Sequence, residues 1–232
     1  MIDITKNIRA VQNDISILVQ RYHRTPNSVT LVAVSKFQPI SALQIACQAG
    51  LTDFAENYVQ EALPKISALG QEKITWHYIG RIQSNKTRQI AEHFYWVHTI
   101  DRLEIAQKLN DARPLNLPPL NVCIQVNLAS MSKKGGISLS ALSDLAHTIS
   151  KLPRLHLRGL MTIPDFHNGL TQQQSPYEQL AEARTLLDHE GLPLDTLSMG
   201  MSGDLEAAIS MGSTIVRVGT AIFGARPTQG VK

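Results

Sequence analysis

The feature that most restricts what this chain can fold into is a rhythm. Eight short β-branched or apolar runs recur along it, at 31–35, 52–55, 75–79, 95–99, 122–127, 155–163, 196–199 and 214–218. Helix-like segments separate nearly every pair, at 40–49, 59–69, 85–93, 102–110, 139–152, 177–189 and 204–211. Strand followed by helix, repeated, is the pattern of a parallel sheet. The first run, Leu31-Val32-Ala33-Val34, is apolar without a break, as expected of a strand buried on both faces. A doubly wound open sheet uses fewer strands and wants a glycine-rich turn after the first one. Here that strand ends in Ser35-Lys36-Phe37-Gln38-Pro39, with no glycine. Eight βα units close instead into an α/β (β/α)8 TIM barrel. Ile4, Ile8, Val11, Ile15 and Leu18 add one amphipathic helix in front. No linker, repeat or low-complexity stretch divides the chain, so residues 1–232 read as one domain with its barrel core at about 27–226. The Pro-rich stretch 113–119 and the segment 131–136 read as loops.

Composition narrows the partners. A length of 232 residues falls inside the usual span of roughly 200–250 for a single barrel. The formal charge of +3 is too small for a nucleic-acid or membrane-surface reading. Cys47 and Cys123 are far apart and have no CxxC spacing, so free thiols in a reducing compartment are expected, with no metal site. Residues 1–14 carry Asp3 and no apolar run, unlike a secretory signal. No stretch approaches the roughly 20 apolar residues of a bilayer span. A soluble cytoplasmic protein is the expectation.

In such a barrel, chemistry gathers at the C-terminal ends of the strands. Lys36 ends the first strand, Asn57 follows the second, and His77 lies near the end of the third. Gly200-Met201-Ser202-Gly203 and Gly219-Thr220 follow the seventh and eighth, where barrels often cradle phosphate on backbone N–H groups and hydroxyls. Glycines that merely make turns are the plain alternative. Arg217 shares a strand face with Gly219, while Val216 and Val218 share the other. If that face is the interior, the guanidinium needs a partner, and a structural ion pair with an inward carboxylate is the alternative reading. Lys36 at a buried strand's end, near Arg217 and an apolar wall, should have a pKa below its usual value of about 10.4, which is what makes an amine nucleophilic. Lysine, arginine and phosphate cradle together suggest a phosphorylated aldehyde held as a Schiff base, with pyridoxal 5′-phosphate (PLP) the obvious candidate. His77 could equally be a packed core histidine, and Asn127 and Lys134 could reach the mouth or be solvated. Asp101, Glu104 and Lys108 read as ordinary surface charge.

These residues coincide with a known family. The chain resembles the pyridoxal phosphate homeostasis proteins, single-domain relatives of the alanine racemase barrel (fold type III), from the N-terminal helix to Arg226. The markers are Ala33-Val34-Ser35-Lys36, Glu56-Asn57-Tyr58-Val59-Gln60-Glu61, Trp76-His77-Tyr78-Ile79-Gly80 and Gln83-Ser84-Asn85-Lys86. Further on come Arg158-Gly159-Leu160-Met161, Leu197-Ser198-Met199-Gly200-Met201-Ser202 and Val216-Arg217-Val218-Gly219-Thr220-Ala221-Ile222-Phe223-Gly224. The resemblance implies that Lys36 is the aldimine lysine and that Ser202, Gly219 and Thr220 hold the phosphate. It implies Arg217 against the pyridine nitrogen, with Asn57, Met201, Ile79 and His77 lining the ring. Lys134 matches a second family lysine, near the cofactor and implicated in its exchange. Ala55 stands where the family usually has glycine, and the loop before Lys134 lacks the usual acidic residues.

A pyridine nitrogen facing arginine stays unprotonated, which makes the ring a poor electron sink for carbanion chemistry. Racemisation on such a ring needs a second acid or base on the substrate's opposite face. The 13 residues after Gly219 are too few for another domain to bring one. A monomeric, non-catalytic PLP carrier that buffers the cofactor and passes it to PLP-dependent apo-enzymes is therefore expected. A monomeric fold-type III racemase is the alternative. A Schiff-base aldolase is weakened because 155–160 carries no lysine.

Overall fold

The computed structural model describes residues 2–70, 74–128, 135–165 and 169–225. All eight expected strands are present: β1 (Thr30–Val34), β2 (Asp53–Glu56), β3 (Thr75–Tyr78), β4 (Trp96–Ile100), β5 (Leu120–Gln125), β6 (Leu155–Met161), β7 (Thr196–Ser198) and β8 (Ile215–Val218). Every neighbouring pair is parallel, and β8 pairs with β1 to close the barrel. The helices are α1 (Ile4–Arg21), α2 (Ile40–Gln48), α3 (Val59–Leu69), α4 (Thr87–His93), α5 (Leu103–Ala112), α6 (Leu142–Ile149), α7 (Leu170–His189), α8 (Leu205–Ser210) and α9 (Thr220–Phe223).

The N-terminal helix forms as its spacing requires. Asp3 caps it by accepting the Lys6 N–H at 2.9 Å, and Ile8, Val11, Ile15 and Leu18 are buried. It packs on α2, α8 and α9. Burying those four side chains contributes roughly 1.5–3 kcal/mol each before the entropy of ordering the helix is set against it.

Two apolar clusters divide the protein. The larger lies between the strands and the helix ring, and includes Phe54, Trp76 and Leu160. The smaller is the barrel interior, where Val32, Ala55 and Ile215 pack with Val34, Ile79 and Trp96. Along β1, Val32 and Val34 therefore point inward, and β8 does the same with Ile215 and Arg217.

Three of the expected helical segments are corrected, and one further helix is added. Helix α7 begins at Leu170, not after Pro176. Its first turns, Thr171-Gln172-Gln173-Gln174-Ser175, are polar and show no apolar stripe, and Pro176 sits inside the helix at the cost of one backbone hydrogen bond. The helix-like segments at 85–93 and 139–152 each open with a 3-10 turn before α4 and α6, and α6 ends at Ile149. Helix α9 is only four residues long, too short for any periodic signal.

Candidate cofactor site at the barrel mouth

The first side of the mouth is the turn that carries Lys36. Its carbonyl at Ser35 accepts from the Lys65 ammonium at 2.8 Å, and the same ammonium reaches Glu56 Oε1 at 2.8 Å and Glu61 Oε1 at 2.7 Å. The Ser35 hydroxyl donates to Glu56 Oε1 at 2.6 Å, and Glu61 accepts the Phe37 N–H. Lys65 thus staples α3 to the residues on either side of Lys36. Phe37 takes φ +65°, a left-handed conformation unusual for an aromatic residue, which this network holds in place. Glu56 is fully buried, and burial raises its carboxyl above the usual range although Lys65 opposes the shift. None of Lys65, Glu56 or Glu61 was expected from the sequence to serve the site. Burial of a charged helix residue four positions after another charge is invisible without the fold.

Asn57 follows β2, and its Oδ1 is buried without a hydrogen-bond partner. A Cβ at Gly80 would sit 2.0 Å from the Asn57 carbonyl oxygen, so the end of β3 can approach this turn only as glycine. Ile79 joins the interior cluster just below.

The turns after β7 and β8 are laced together. Arg217 N–H donates to Gly200 O at 3.0 Å, and Ala221 N–H donates to Ser202 Oγ at 3.3 Å. Asp204 orders the first turn by accepting the Met201 N–H and the Tyr177 hydroxyl, the latter at 2.7 Å. Burial and that carboxylate drive the Tyr177 pKa up. Gly219 lies against β1: a Cβ there would sit 3.3 Å from Val34 O. The expected phosphate cradle and the expected lysine therefore stand on adjoining strands. Met201 and Thr220 are exposed at the rim.

Arg217 is the buried cation of the candidate site. It is registered beside Val32 and is 3% exposed. Nη1 donates to Ser198 Oγ at 2.6 Å and Nη2 to Thr162 O at 2.9 Å. No carboxylate among the described residues pairs with it, so the structural ion pair that the sequence left open is not formed there. Desolvation lowers its pKa, while Tyr177 and Asp204 oppose the shift. Burying a guanidinium against neutral acceptors is costly, and such a group has strong demand for a further acceptor. An unprotonated pyridine nitrogen supplies one, and the orphaned Asn57 Oδ1 can take a donor or a polar ring edge. The residues present fit a PLP-like ring.

His77 is not at the rim. It is 1% exposed, with Nε2 against Asp53 at 3.1 Å and Nδ1 against His98 at 2.9 Å, so it offers no free polar atom to a ligand. Lys134 lies outside the described residues. A cleft of about 900 Å³ lies at the opposite end, between α1 and the starts of β1 and β2. A cleft of about 620 Å³ flanks the mouth beside Asn57, Gly80, Arg81 and Lys86. The chemistry is assigned to the mouth because the buried cation and the glycine turns are there, whatever the sizes. Among the described residues no group of three His, Cys, Asp or Glu is placed to hold a metal, and no helix is long and apolar enough to cross a membrane.

Comparison with known proteins agrees with this architecture. The family model for the alanine racemase N-terminal domain matches residues 7–227. The pyridoxal phosphate homeostasis protein of Escherichia coli (strain K12) is 51% identical over 229 residues, covering 97% of this chain and 98% of the relative. The solved structure of PipY from Synechococcus elongatus PCC7942 with PLP bound superposes with a TM-score of 0.85 at 33% identity, over 96% of this chain and 100% of that one. Alanine racemase from Clostridium difficile 630 shares the fold at a TM-score of 0.74 and 15% identity, over 98% of this chain and 59% of that one.

Proposed function

We propose, starting from the fact that this chain belongs to the pyridoxal phosphate homeostasis protein family, that it holds PLP as a Schiff base on Lys36 and buffers the cofactor without turning over a substrate. The observation that carries the reading is Arg217, a buried guanidinium whose side-chain acceptors among the described residues are a hydroxyl and a carbonyl, on the strand that pairs with the one leading to Lys36. The PLP-bound PipY structure, at 33% identity, supports it independently.

When bound, PLP supplies an aldehyde that an amine captures reversibly. Lys36 provides that amine, on a turn clamped by Lys65 and Glu61. Ser202, Gly219 and Thr220 bind the phosphate on the two joined turns, and Asn57, Ile79 and Met201 border the ring. His77 supports the ring from below through its neighbours. Lys134 keeps the exchange role that the family resemblance implies. By donating to the ring nitrogen, Arg217 withholds the proton that would make the ring an electron sink, which favours storage over carbanion chemistry. We infer a monomer acting in the cytoplasm, with PLP-dependent apo-enzymes as recipients; the homeostasis name of the relatives supports that direction.

The test is the visible spectrum of purified, PLP-loaded protein before and after borohydride reduction, with peptide mapping of the fixed adduct. The adduct is expected on Lys36, and Lys36→Ala should abolish the reducible band. An adduct elsewhere, or an unchanged band in Lys36→Ala, defeats the site. Steady conversion of an L-amino acid by the loaded protein defeats the non-catalytic reading.

A further inference from the structure

Below Arg217 a single file of hydrogen bonds crosses the barrel interior to its far end. Arg217 Nη1 meets Ser198 Oγ at 2.6 Å, and Ser198 Oγ meets His98 Nδ1 at 2.7 Å. His98 Nε2 meets His77 Nδ1 at 2.9 Å, and His77 Nε2 meets Asp53 Oδ1 at 3.1 Å. The five residues come from β8, β7, β4, β3 and β2. Arg217, Ser198, His98 and His77 are buried, whereas the Asp53 side chain is 22% exposed at the start of β2, on the wall of the basal cleft. Trp96 stacks on His77 with ring centroids 5.7 Å apart and planes 8° apart, fixing the imidazole's tilt.

The two ends dictate the order of protons. A guanidinium can only donate, and a carboxylate can only accept. Between them, Ser198 and each neutral imidazole have one proton apiece to place. One arrangement satisfies all four contacts: Arg217 donates to Ser198, Ser198 to His98 Nδ1, His98 Nε2–H to His77 Nδ1, and His77 Nε2–H to Asp53. Both rings are then neutral Nε2–H tautomers. Desolvation favours the neutral form of each, although Asp53 pulls His77 the other way.

We propose that Ser198, His98, His77 and Asp53 are positioning residues for the cofactor, aligned by the Asp53 carboxylate so that Ser198 stays an acceptor and Arg217 stays fixed as a donor towards the ring nitrogen. This rests on Arg217 being the partner of that nitrogen in bound PLP. The device differs from a direct ion pair. A carboxylate against Arg217 would occupy its donor edge and cancel its charge at the mouth. Three neutral links orient the group while keeping the anion at the far end of the barrel. Asp53 thereby acts on the mouth without touching anything bound there.

The proton order is tested first on full-length protein without PLP, by long-range 1H–15N correlation of 15N-histidine-labelled samples at pH 7.5. His77 and His98, identified by comparison with His77→Gln and His98→Gln, are both expected as neutral Nε2–H tautomers. Asp53→Asn should mix the tautomers, because an amide can present either its oxygen or its nitrogen to His77. A protonated or Nδ1–H ring in the parent protein overturns the proposed order. The second arm measures PLP release and the visible band. Ser198→Ala should shift the band and release PLP roughly three- to tenfold faster, the size of one ordinary hydrogen bond's net contribution, since Ser198 acts on the cofactor only through Arg217. Ser198→Thr, which keeps the hydroxyl, should restore both. Parent-like release and band in Ser198→Ala overturn the positioning role. If the parent protein takes up no PLP, the cofactor reading fails and the positioning role with it, while the labelled histidines still decide the proton order.

Discussion

Replacing Lys65 by alanine should damage this protein more than any exposed lysine could, and in a pH-dependent way. Its ammonium is 5% exposed and holds Glu56, which is 0% exposed, at 2.8 Å. Without it the Glu56 carboxylate keeps only the Ser35 hydroxyl, since its second oxygen already lacks a partner. Breaking a buried pair from one side costs about 3–5 kcal/mol, because a charge is left stranded. The bond to Glu61, which is 25% exposed, adds about 0–1 kcal/mol after solvent screening. At about 2–4 °C per kcal/mol for a chain of this size, the combined loss should lower the melting temperature by about 6–24 °C near neutral pH. The sign with pH follows from Glu56. Its folded pKa is raised by burial, and losing Lys65 raises it further. The penalty is therefore absent below the unfolded carboxyl pKa of about 4.3, and grows as pH rises towards the folded value. Thermal unfolding of Lys65→Ala and the parent at pH 5 and pH 7.5 should show the gap narrowing at the lower pH. Glu56→Gln on the Lys65→Ala background should recover part of the loss, and PLP retention should fall because the Ser35 carbonyl loses its anchor beside Lys36. A loss below about 1 kcal/mol, the level of an exposed pair, would refute the reasoning. So would a gap independent of pH, or a double variant no better than the single one.

Acid should unfold the protein through its interior histidines. Burial lowers the folded pKa of both His77 and His98, so the stability they leave intact above the unfolded value of about 6.5 is lost progressively as pH falls below it. Urea midpoints should drop between pH 7.5 and 5.5, and less steeply in His98→Gln. Ser202→Ala should weaken PLP retention on gel filtration without abolishing it, since Gly219 and Thr220 remain, whereas Arg217→Met should lose most of the bound cofactor. Burial pushes the Cys123 thiol up to about 12, so it should resist a thiol reagent at pH 7.5 until urea is added.

Much of the mouth was legible because strand alternation is a local rule. Lys36 lies two and four residues past the inward Val34 and Val32, and Gly219 lies two past the inward Arg217. The eight apolar runs, with helices between them, specified a closed parallel barrel before any contact was known. Helix α9 and the first turns of α7 escaped notice, the former too short and the latter too polar for an apolar stripe. His77 sat at the right position along the chain to be a rim residue, and only its two ring contacts place it below the rim.

The tertiary structure alone decided the partners. Ser198 and His98 are 100 residues apart, and Arg217 reaches Thr162 across 55. Which inward residues meet across a barrel depends on the stagger of all eight strands, including register shifts within the β4–β5 and β5–β6 pairings. Local periodicity tells a side chain which way to face, because it follows from backbone geometry within a few residues. What that side chain finds opposite it is set by closure of the whole sheet, which is why the sequence named the arginine and only the fold supplied what holds it.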